Sequence, residues 1–529
     1  MRAHSVLVQT IALVAGACTM TIELAAVRVL SPWFGASTAV WTNVIGVVLL
    51  ALSLGYLIGA RASRAVEPAR ILGWILCCAA VFGALIPLAS GTVARLFLPA
   101  ELTLAEAGTL VPWGSLAASL CLFLPPATAL GCIAPLCTEV LARRAQRSAG
   151  SAGGLILCAS TLGSLAGTFA TTFVLVPKVG TTHTFLIASA ALAALGVTAL
   201  LGLARSRAGL VASVAWIAPI GLWSVPAALP ALSPERTLLA TTESTYQSVR
   251  VVEDGGTEPR LRYLQVNESF DSFQSVWSPQ PGFLPTGYYY NHFVFPLWWS
   301  RDRTDWHIGV VGLGAGTAWR VIDGARPAHT AVRCTGAEID PEVVRLAREW
   351  MDMPRDDARC RVLSGYDGRA LVGAGQNSFD LLILDAYANQ TEIPAHLSSV
   401  EFFRECRSAL RESGWLAINV GGFGFDDPVV TAVASTLARA FEERVLGLRV
   451  PFSRNFVLFA RRAARPVAPP DAAWKTGDPD IDARLSAVAL EGNWRWFEAR
   501  EGEVLTDDRN PIEALQRLSI LRATQRGLE

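Results

Sequence analysis

Hydrophobic positions take two arrangements along the 529-residue chain. Up to residue 229 they form seven long apolar stretches, near residues 5–29, 39–60, 71–94, 112–140, 153–177, 181–203 and 209–229. Each is near or above the roughly 20 residues that carry a helix across a hydrocarbon core. A helix satisfies its own backbone hydrogen bonds, as lipid requires. The pattern therefore predicts a polytopic α-helical membrane domain of about seven spans over residues 1–230. The seventh stretch contains Pro219 and Pro226 and is also compatible with a re-entrant segment.

Beyond Pro230 the period shortens. SVRVVED and LRYLQVN alternate apolar and polar positions on either side of EDGGTEP, which reads as hairpins and predicts a small β subdomain over 231–300. From His307 apolar runs alternate with helical patterns: HIGVVGLG, AVRCTGAE, CRVLS, FDLLILD and WLAINVGG, with helices through Arg320, from Pro341 and from Phe402 to Leu410. Buried strands alternating with helices imply a parallel, doubly wound sheet, here over 301–465, followed by a tail over 466–529. Such sheets bind ligands at the carboxyl ends of their strands. Asp385 stands at one of those ends.

Charge sharpens the division. Residues 1–230 hold 17 of the 90 charged side chains, and the first aspartate is Asp254. Arginines cluster after the second stretch (Arg61, Arg64, Arg70), the fourth (Arg143, Arg144, Arg147) and the sixth (Arg205, Arg207). By the positive-inside rule these loops are cytoplasmic. The localisation expected is a bacterial inner membrane, multi-pass, and an odd span count places the soluble half on the exoplasmic side. A cleavage site at LVAGAC, with Cys18 as a lipoprotein-type residue, competes for the N-terminus; the apolar stretch runs on past Cys18, which favours an uncleaved first span. Glu23 and Arg28 are ionisable within that span, where charge reads either as function or as an anchor that snorkels to the interface. The balance of 45 basic against 45 acidic residues leaves no nucleic-acid footprint. Cys334, Cys360 and Cys406, the cysteines outside the apolar half, have neither disulfide-framework nor metal-ligand spacing.

Chemistry concentrates in VVGLGAGTAWR. Gly312, Gly314 and Gly316 follow a strand and open a helix, the context of a nucleotide loop. The next strand ends in Glu338, 22 residues beyond Gly316, where a carboxylate can accept from both ribose hydroxyls. The spacing is GxGxG and no separate phosphate-binding feature accompanies it, which favours an adenosyl sulfonium ligand over NAD. Tyr366 and Asp367, after the third strand, are placed to stack on adenine and accept from its amino group. Asp367 serves equally well as a plain helix N-cap.

GLGAG, AEID at 337–340, YDG at 366–368 and FDLLILDAY together resemble the spermidine synthase (polyamine aminopropyltransferase) family, in its bacterial membrane-fused form. ESTYQSVRVVED resembles that family's N-terminal β strand, LTDDRNPIE its fused-form tail, and IELAAVRVLSPWFG with LALSLGYLIGARASR its membrane half. The resemblance implies a methyltransferase-like Rossmann fold, Gln247 against the nucleoside, and Asp385 as the catalytic carboxylate. It implies a co-substrate, decarboxylated S-adenosylmethionine, whose methylene is attacked by an amine with release of methylthioadenosine. It also implies a homodimer.

Two departures bear on the acceptor. Ala315 stands where the family's glycine loop carries an acid, and Ala386, Tyr387, Ala388 and Asn389 stand where a second aspartate follows the first. Each missing carboxylate is a charge-assisted contact that a diamine would lose. Tyr387, Glu392 and His396 are candidate replacements, although Glu392 and His396 read equally as ordinary loop and helix-start residues. The Tyr288, Tyr289, Tyr290 run either walls the pocket or packs the core. The expected partners are the lipid bilayer and a small-molecule amine or membrane-associated acceptor. The donor is S-adenosylmethionine or its decarboxylated form, with no metal. A methyltransferase and a non-catalytic adenosyl-binding transporter or sensor remain as alternatives, because fold does not fix function.

Overall fold

The computed structural model describes residues 2–98, 104–225, 228–230, 232–267, 273–300, 302–387, 393–462 and 475–526. The apolar half is a helical bundle of α1 (Arg2–Phe34), α2 (Thr38–Ala62), α3 (Pro68–Phe97), α4 (Leu104–Gly131), α5 (Ile133–Ala145), α6 (Ala149–Ala170) and α7 (Val176–Thr198), followed by two short helices, α8 (Ala208–Ala212) and α9 (Ile217–Gly221). Five helical runs are long and apolar enough to cross a membrane by length and composition, the last being Ala149–Leu203 with 55 residues. At 1.5 Å per residue a straight rod of that length would extend about 80 Å, far beyond a core of about 30 Å.

Neighbouring contacts show that this run folds back. Gly163 and Gly167 lie against the backbone of Leu13 and Ala17, so α6 runs parallel to α1. Gly202 lies near Leu7 and the Cys18 thiol donates to the Ala188 carbonyl at 3.6 Å, so α7 runs antiparallel to it. The reversal is located at Gly180, whose φ of 80° and ψ of 166° break the helix; positive φ is the conformation glycine tolerates without penalty. The segment from α8 to α9 then returns along α7, with Gly209 on Leu201 and Trp223 O 3.1 Å from His183 Nε2.

The arginine-bearing loops meet at one end of the bundle. Arg143 donates to the carbonyls of Ser63 at 3.1 Å and Ala65 at 3.0 Å, and Arg144 donates to that of Leu203. The opposite end meets the polar half: Arg28 donates to the Thr245 carbonyl, and the Thr181 amide donates to Glu243 at 2.8 Å.

The polar half opens with an antiparallel meander of β1 (Arg236–Glu243), β2 (Ser248–Asp254), β3 (Leu261–Val266) and β4 (Ser275–Trp277), the small β subdomain read from the alternation. After α10 (Phe295–Trp299) come β5 (Asp305–Val311), α11 (Thr317–Ala325), β6 (Ala331–Glu338), α12 (Pro341–Trp350), β7 (Cys360–Ser364), α13 (Gly368–Ala374), β8 (Phe379–Leu384), α14 (Val400–Ala409), β9 (Leu410–Gly421), α15 (Pro428–Phe441), β10 (Val445–Arg449), β11 (Asn455–Arg461), α16 (Pro479–Ala489), β12 (Trp494–Phe497) and α17 (Ile512–Arg526). They form one sheet in the order β12-β10-β11-β9-β8-β5-β6-β7. The β5–β9 pairings are parallel, and β11 turns antiparallel on β9.

All six residues of β8 are buried, as expected of a central strand covered on both faces. Its one charge, Asp380, is held by Arg411 at 2.8 Å, by the His307 amide at 2.8 Å and by Arg303. The strand order reverses between β5 and β8, which opens a crevice at their carboxyl ends. The tail is not a separate appendage. β12 pairs with β10 at the sheet edge, and α17 returns to pack on α4 and α15.

Candidate active site

Two loops meet in the crevice between β5 and β8. Gly312 follows β5 with φ 78°, and a Cβ there would lie 2.6 Å from the Asp385 carbonyl oxygen and from the Ala386 Cα. Gly314 has φ 53° and Gly316 φ 81°. The loop is stitched to the β subdomain, since Ser275 Oγ accepts from the Ala315 amide at 2.8 Å and Thr317 Oγ1 donates to the Val276 carbonyl at 2.9 Å. The glycines thus let the Asp385–Ala386 backbone and the Ser275 side chain pack directly on the loop, and Gly316 starts α11.

Glu338 ends β6 beside this loop. One carboxylate oxygen accepts from Gly314 N at 2.9 Å and the other from Asp340 N at 3.0 Å. Burial pushes its carboxyl up to about 7, against these backbone donors. Asp340 is fully buried and caps α12 through the Glu342 amide. Its other oxygen accepts from Ser244 Oγ at 2.6 Å, and the Gln247 side chain hydrogen-bonds to the same carboxylate. Gln247 thus lies beside Asp340, the neighbour of Glu338.

Asp385 follows β8 directly and is half-buried. Tyr289 Oη donates to its Oδ2 at 3.2 Å and Asn419 Nδ2 to its Oδ1 at 3.1 Å. Asn455 Nδ2 in turn donates to Asn419 Oδ1 at 2.8 Å. Burial pushes the Asp385 carboxyl up to about 8, and the Asn419 and Tyr289 hydrogen bonds only partly oppose it. No cation is within hydrogen-bonding reach among the described residues, so desolvation dominates. Tyr387 lies one residue beyond Ala386, but its hydroxyl donates to the Asn419 carbonyl at 2.8 Å. The hydroxyl that reaches Asp385 belongs to Tyr289, from the run for which packing was the competing reading. Tyr289 and Tyr290 stack with ring centroids 4.2 Å apart and are buried in the core of this half.

Tyr366 is partly exposed, and Asp367 caps α13 through the amides of Arg369 at 2.7 Å and Ala370 at 3.3 Å. One oxygen makes the cap, and the other lies 3.7 Å from His396 Nε2, which places His396 beside Asp367. Glu392 falls outside the described residues. The tail motif meets the same rim: Asp507 pairs both carboxylate oxygens with Arg369 at 2.9 and 2.8 Å, and Asn510 donates to the Ala395 carbonyl at 2.7 Å.

No family model matches the chain. A "probable polyamine aminopropyl transferase" of Bifidobacterium longum is 29% identical over 225 residues, covering 39% of this chain and 48% of that protein. "Polyamine aminopropyltransferase 2" of Streptomyces coelicolor is 28% identical over 426 residues, covering 77% of this chain and 72% of its own. The chain is spermidine synthase-like. Thus the spermidine synthase-like chain spans about half the length of the Bifidobacterium relative. Its match to the Streptomyces protein exceeds the 299 residues beyond Pro230, so that likeness runs into the helical half. A solved probable spermidine synthase from Corynebacterium glutamicum is 20% identical, covers 51% of this chain and 96% of its own, and superposes with a TM-score of 0.41.

Sequence reasoning missed Asn419. An amide inside the apolar strand WLAINVGG, itself 3% exposed, was the available clue, since a buried polar side chain in a strand requires a partner. Asn455, at the start of β11, carried no such mark.

Proposed function

We propose that this chain is a membrane-anchored aminopropyltransferase that uses decarboxylated S-adenosylmethionine as donor and a primary amine as acceptor. The observation that carries the reading is Asp385: a carboxylate at the switch point of the sheet, touching the glycine loop and lacking a resident cation among the described residues. The glycine loop and Glu338 support an adenosyl group, because a buried carboxylate at the end of β6 lies against a positive-φ loop that opens α11. Asp367 and Tyr366 lie one strand further along, at the adenine end. The names of the curated relatives support the same chemistry.

In this mechanism the acceptor arrives as an ammonium, whose charge favours ionised Asp385. Asp385 takes one proton from it. The nitrogen lone pair then attacks the methylene beside the sulfonium, the carbon–sulfur bond breaks, and its electron pair stays on sulfur as methylthioadenosine leaves. Tyr289 and Asn419 hold the carboxylate in place for the transfer. A positioned proton acceptor of this kind contributes about 10²- to 10⁴-fold. The described side chains that hydrogen-bond to Asp385 are neutral, which supports an acceptor gripped there through one ammonium group.

The same proposal assigns the apolar half seven bilayer crossings, the fold-back at Gly180 and the return from α8 to α9 each adding one to the five long runs. It puts the arginine-bearing end in the cytoplasm and the catalytic half on the exoplasmic side. Incubation of the purified full chain with decarboxylated S-adenosylmethionine and a panel of mono- and diamines tests the chemistry. Methylthioadenosine release is expected; S-adenosylhomocysteine from S-adenosylmethionine, or ligand binding without turnover, would refute it. For topology, cysteines introduced at Phe452 and Val66, each 94% exposed, are probed in intact cells with a membrane-impermeant maleimide. Labelling at Phe452→Cys alone is expected, and the reverse pattern refutes the orientation.

A further inference from the structure

Two polar groups connect the helical half to a single turn of the catalytic half, and that turn lies beside Asp340, the neighbour of Glu338. Arg28, on α1, donates from its guanidinium to the Thr245 carbonyl. Thr245 lies in the turn from Ser244 to Gln247 that joins β1 to β2, closed by the Ser244 amide on the Gln247 carbonyl at 2.9 Å. Within it, Ser244 Oγ accepts from the amides of Tyr246 and Gln247 at 3.0 Å each and donates to Asp340. Asp340 in turn donates its amide to Glu338. Only the turn and Asp340 separate Arg28 from the acid that faces the glycine loop.

The connection also runs the other way. Glu243, the last residue of β1, accepts from both the amide and the hydroxyl of Thr181. Thr181 is the first residue after the break at Gly180, so Glu243 supplies an N-cap to the helix that follows. Amides there lack intrahelical partners, and the helix dipole favours an anion. Arg28 also lies within electrostatic reach of Glu243 and Asp340. A guanidinium inside an apolar bundle is costly unless its donors are met. Here the catalytic half supplies the Thr245 carbonyl as an acceptor and two carboxylates, Glu243 and Asp340, within electrostatic reach.

We infer that Arg28 and Glu243 are positioning residues of the nucleoside site: the helical half completes that site by fixing the turn from Ser244 to Gln247, and through it Asp340 and Glu338. This rests on the nucleoside reading given under Proposed function. By linkage the effect is reciprocal, so a nucleoside that needs the turn in place also stabilises the junction.

The test uses the full chain in lipid nanodiscs with Arg28→Ala, Arg28→Lys, Glu243→Ala and Glu243→Gln. Two quantities are read: hydrogen exchange of the peptide containing residues 244–247, and equilibrium affinity for methylthioadenosine. Arg28→Ala and Glu243→Ala are expected to speed exchange at the turn and weaken affinity by about 10-fold or more, the scale of a hydrogen bond to a charged group. In turnover, KM for the donor rises while kcat changes less. Glu243→Gln keeps an oxygen that accepts from Thr181 but loses the charge beside Arg28, and should fall between wild type and Glu243→Ala. If Arg28→Ala does not assemble, Arg28→Lys and Glu243→Ala probe the same link. Wild-type exchange and affinity in the folded alanine variants overturn the inference. Faster exchange in those variants, with no nucleoside bound even by wild type, upholds the link between the halves and overturns the functional reading instead.

Discussion

The pH dependence of turnover is the most direct consequence of the geometry around Asp385. Its carboxyl is pushed up to about 8 in the free protein, so at pH 7 about a tenth of the molecules carry the ionised base, and at pH 9 about nine-tenths. Only the ionised form accepts a proton from the acceptor, so kcat/KM should climb about 10-fold across that interval, with an inflection near 8. The acceptor amine titrates on the same limb, and the hydrogen bonds to Asp385 separate the two effects. Tyr289→Phe removes a donor from the charged form, and at 3.2 Å the bond belongs at the weak end of the 1.5–3 kcal/mol range for such contacts. One pH unit corresponds to about 1.4 kcal/mol, so the inflection should move up by about one unit. The assay is methylthioadenosine release under kcat/KM conditions from pH 6 to 10 for wild type, Tyr289→Phe and Asp385→Asn. Asp385→Asn should lose about 10²- to 10⁴-fold and the pH-dependent rise assigned to Asp385. An inflection that Tyr289→Phe leaves in place, or activity that falls through pH 8, would refute the assignment of the base.

Other outcomes follow from the same contacts. Since both Glu338 oxygens accept backbone amides, Glu338→Gln must turn an NH₂ toward one of them; nucleoside affinity measured by calorimetry should fall about 10-fold or more. Asp385 also contributes to stability, and the sign is fixed by its raised folded-state value: the contribution is full below the unfolded value near 4 and is lost as pH rises through about 8. In the ligand-free protein Asp385→Asn should therefore melt above wild type at pH 9, an advantage that disappears toward pH 4. Asp380→Ala removes the buried acceptor of the His307 amide and the partner of Arg303 and Arg411, and should destabilise the catalytic half by about 1–3 kcal/mol in denaturant titrations. Gly312→Ala places a Cβ against the backbone of Asp385 and Ala386 at positive φ; loss of nucleoside binding together with a lower melting temperature is expected.

Much of the architecture was legible because its period was clear. The apolar stretches announced the bundle, and GLGAG, AEID and FDLLILD located three adjacent strand ends. What remained hidden depended on contacts distant in sequence. Tyr387 stands two residues from Asp385 but gives its hydroxyl to the Asn419 carbonyl, whereas Tyr289, 96 residues away, donates to Asp385. Gln247 lies beside Asp340, the neighbour of Glu338, across a sequence gap of more than ninety residues. Asp367 performs the plain capping role with one oxygen and keeps the other toward His396, so local propensity and ligand chemistry were both satisfiable at one residue. Arg28 was ambiguous between function and anchoring because its partner, the Thr245 carbonyl, belongs to the other half of the chain.

The C-terminal helix has a mechanical meaning. The catalytic half leaves the bundle at β1 and returns to it where α17 lies on α4, so it is moored at both ends. A domain tied at one end can swing like an arm and carry a bound group from place to place. Moored twice, it behaves more like a bridge span, and its crevice keeps a fixed height above the bundle. Whatever binds in the crevice must therefore come to it, rather than being carried by a moving arm.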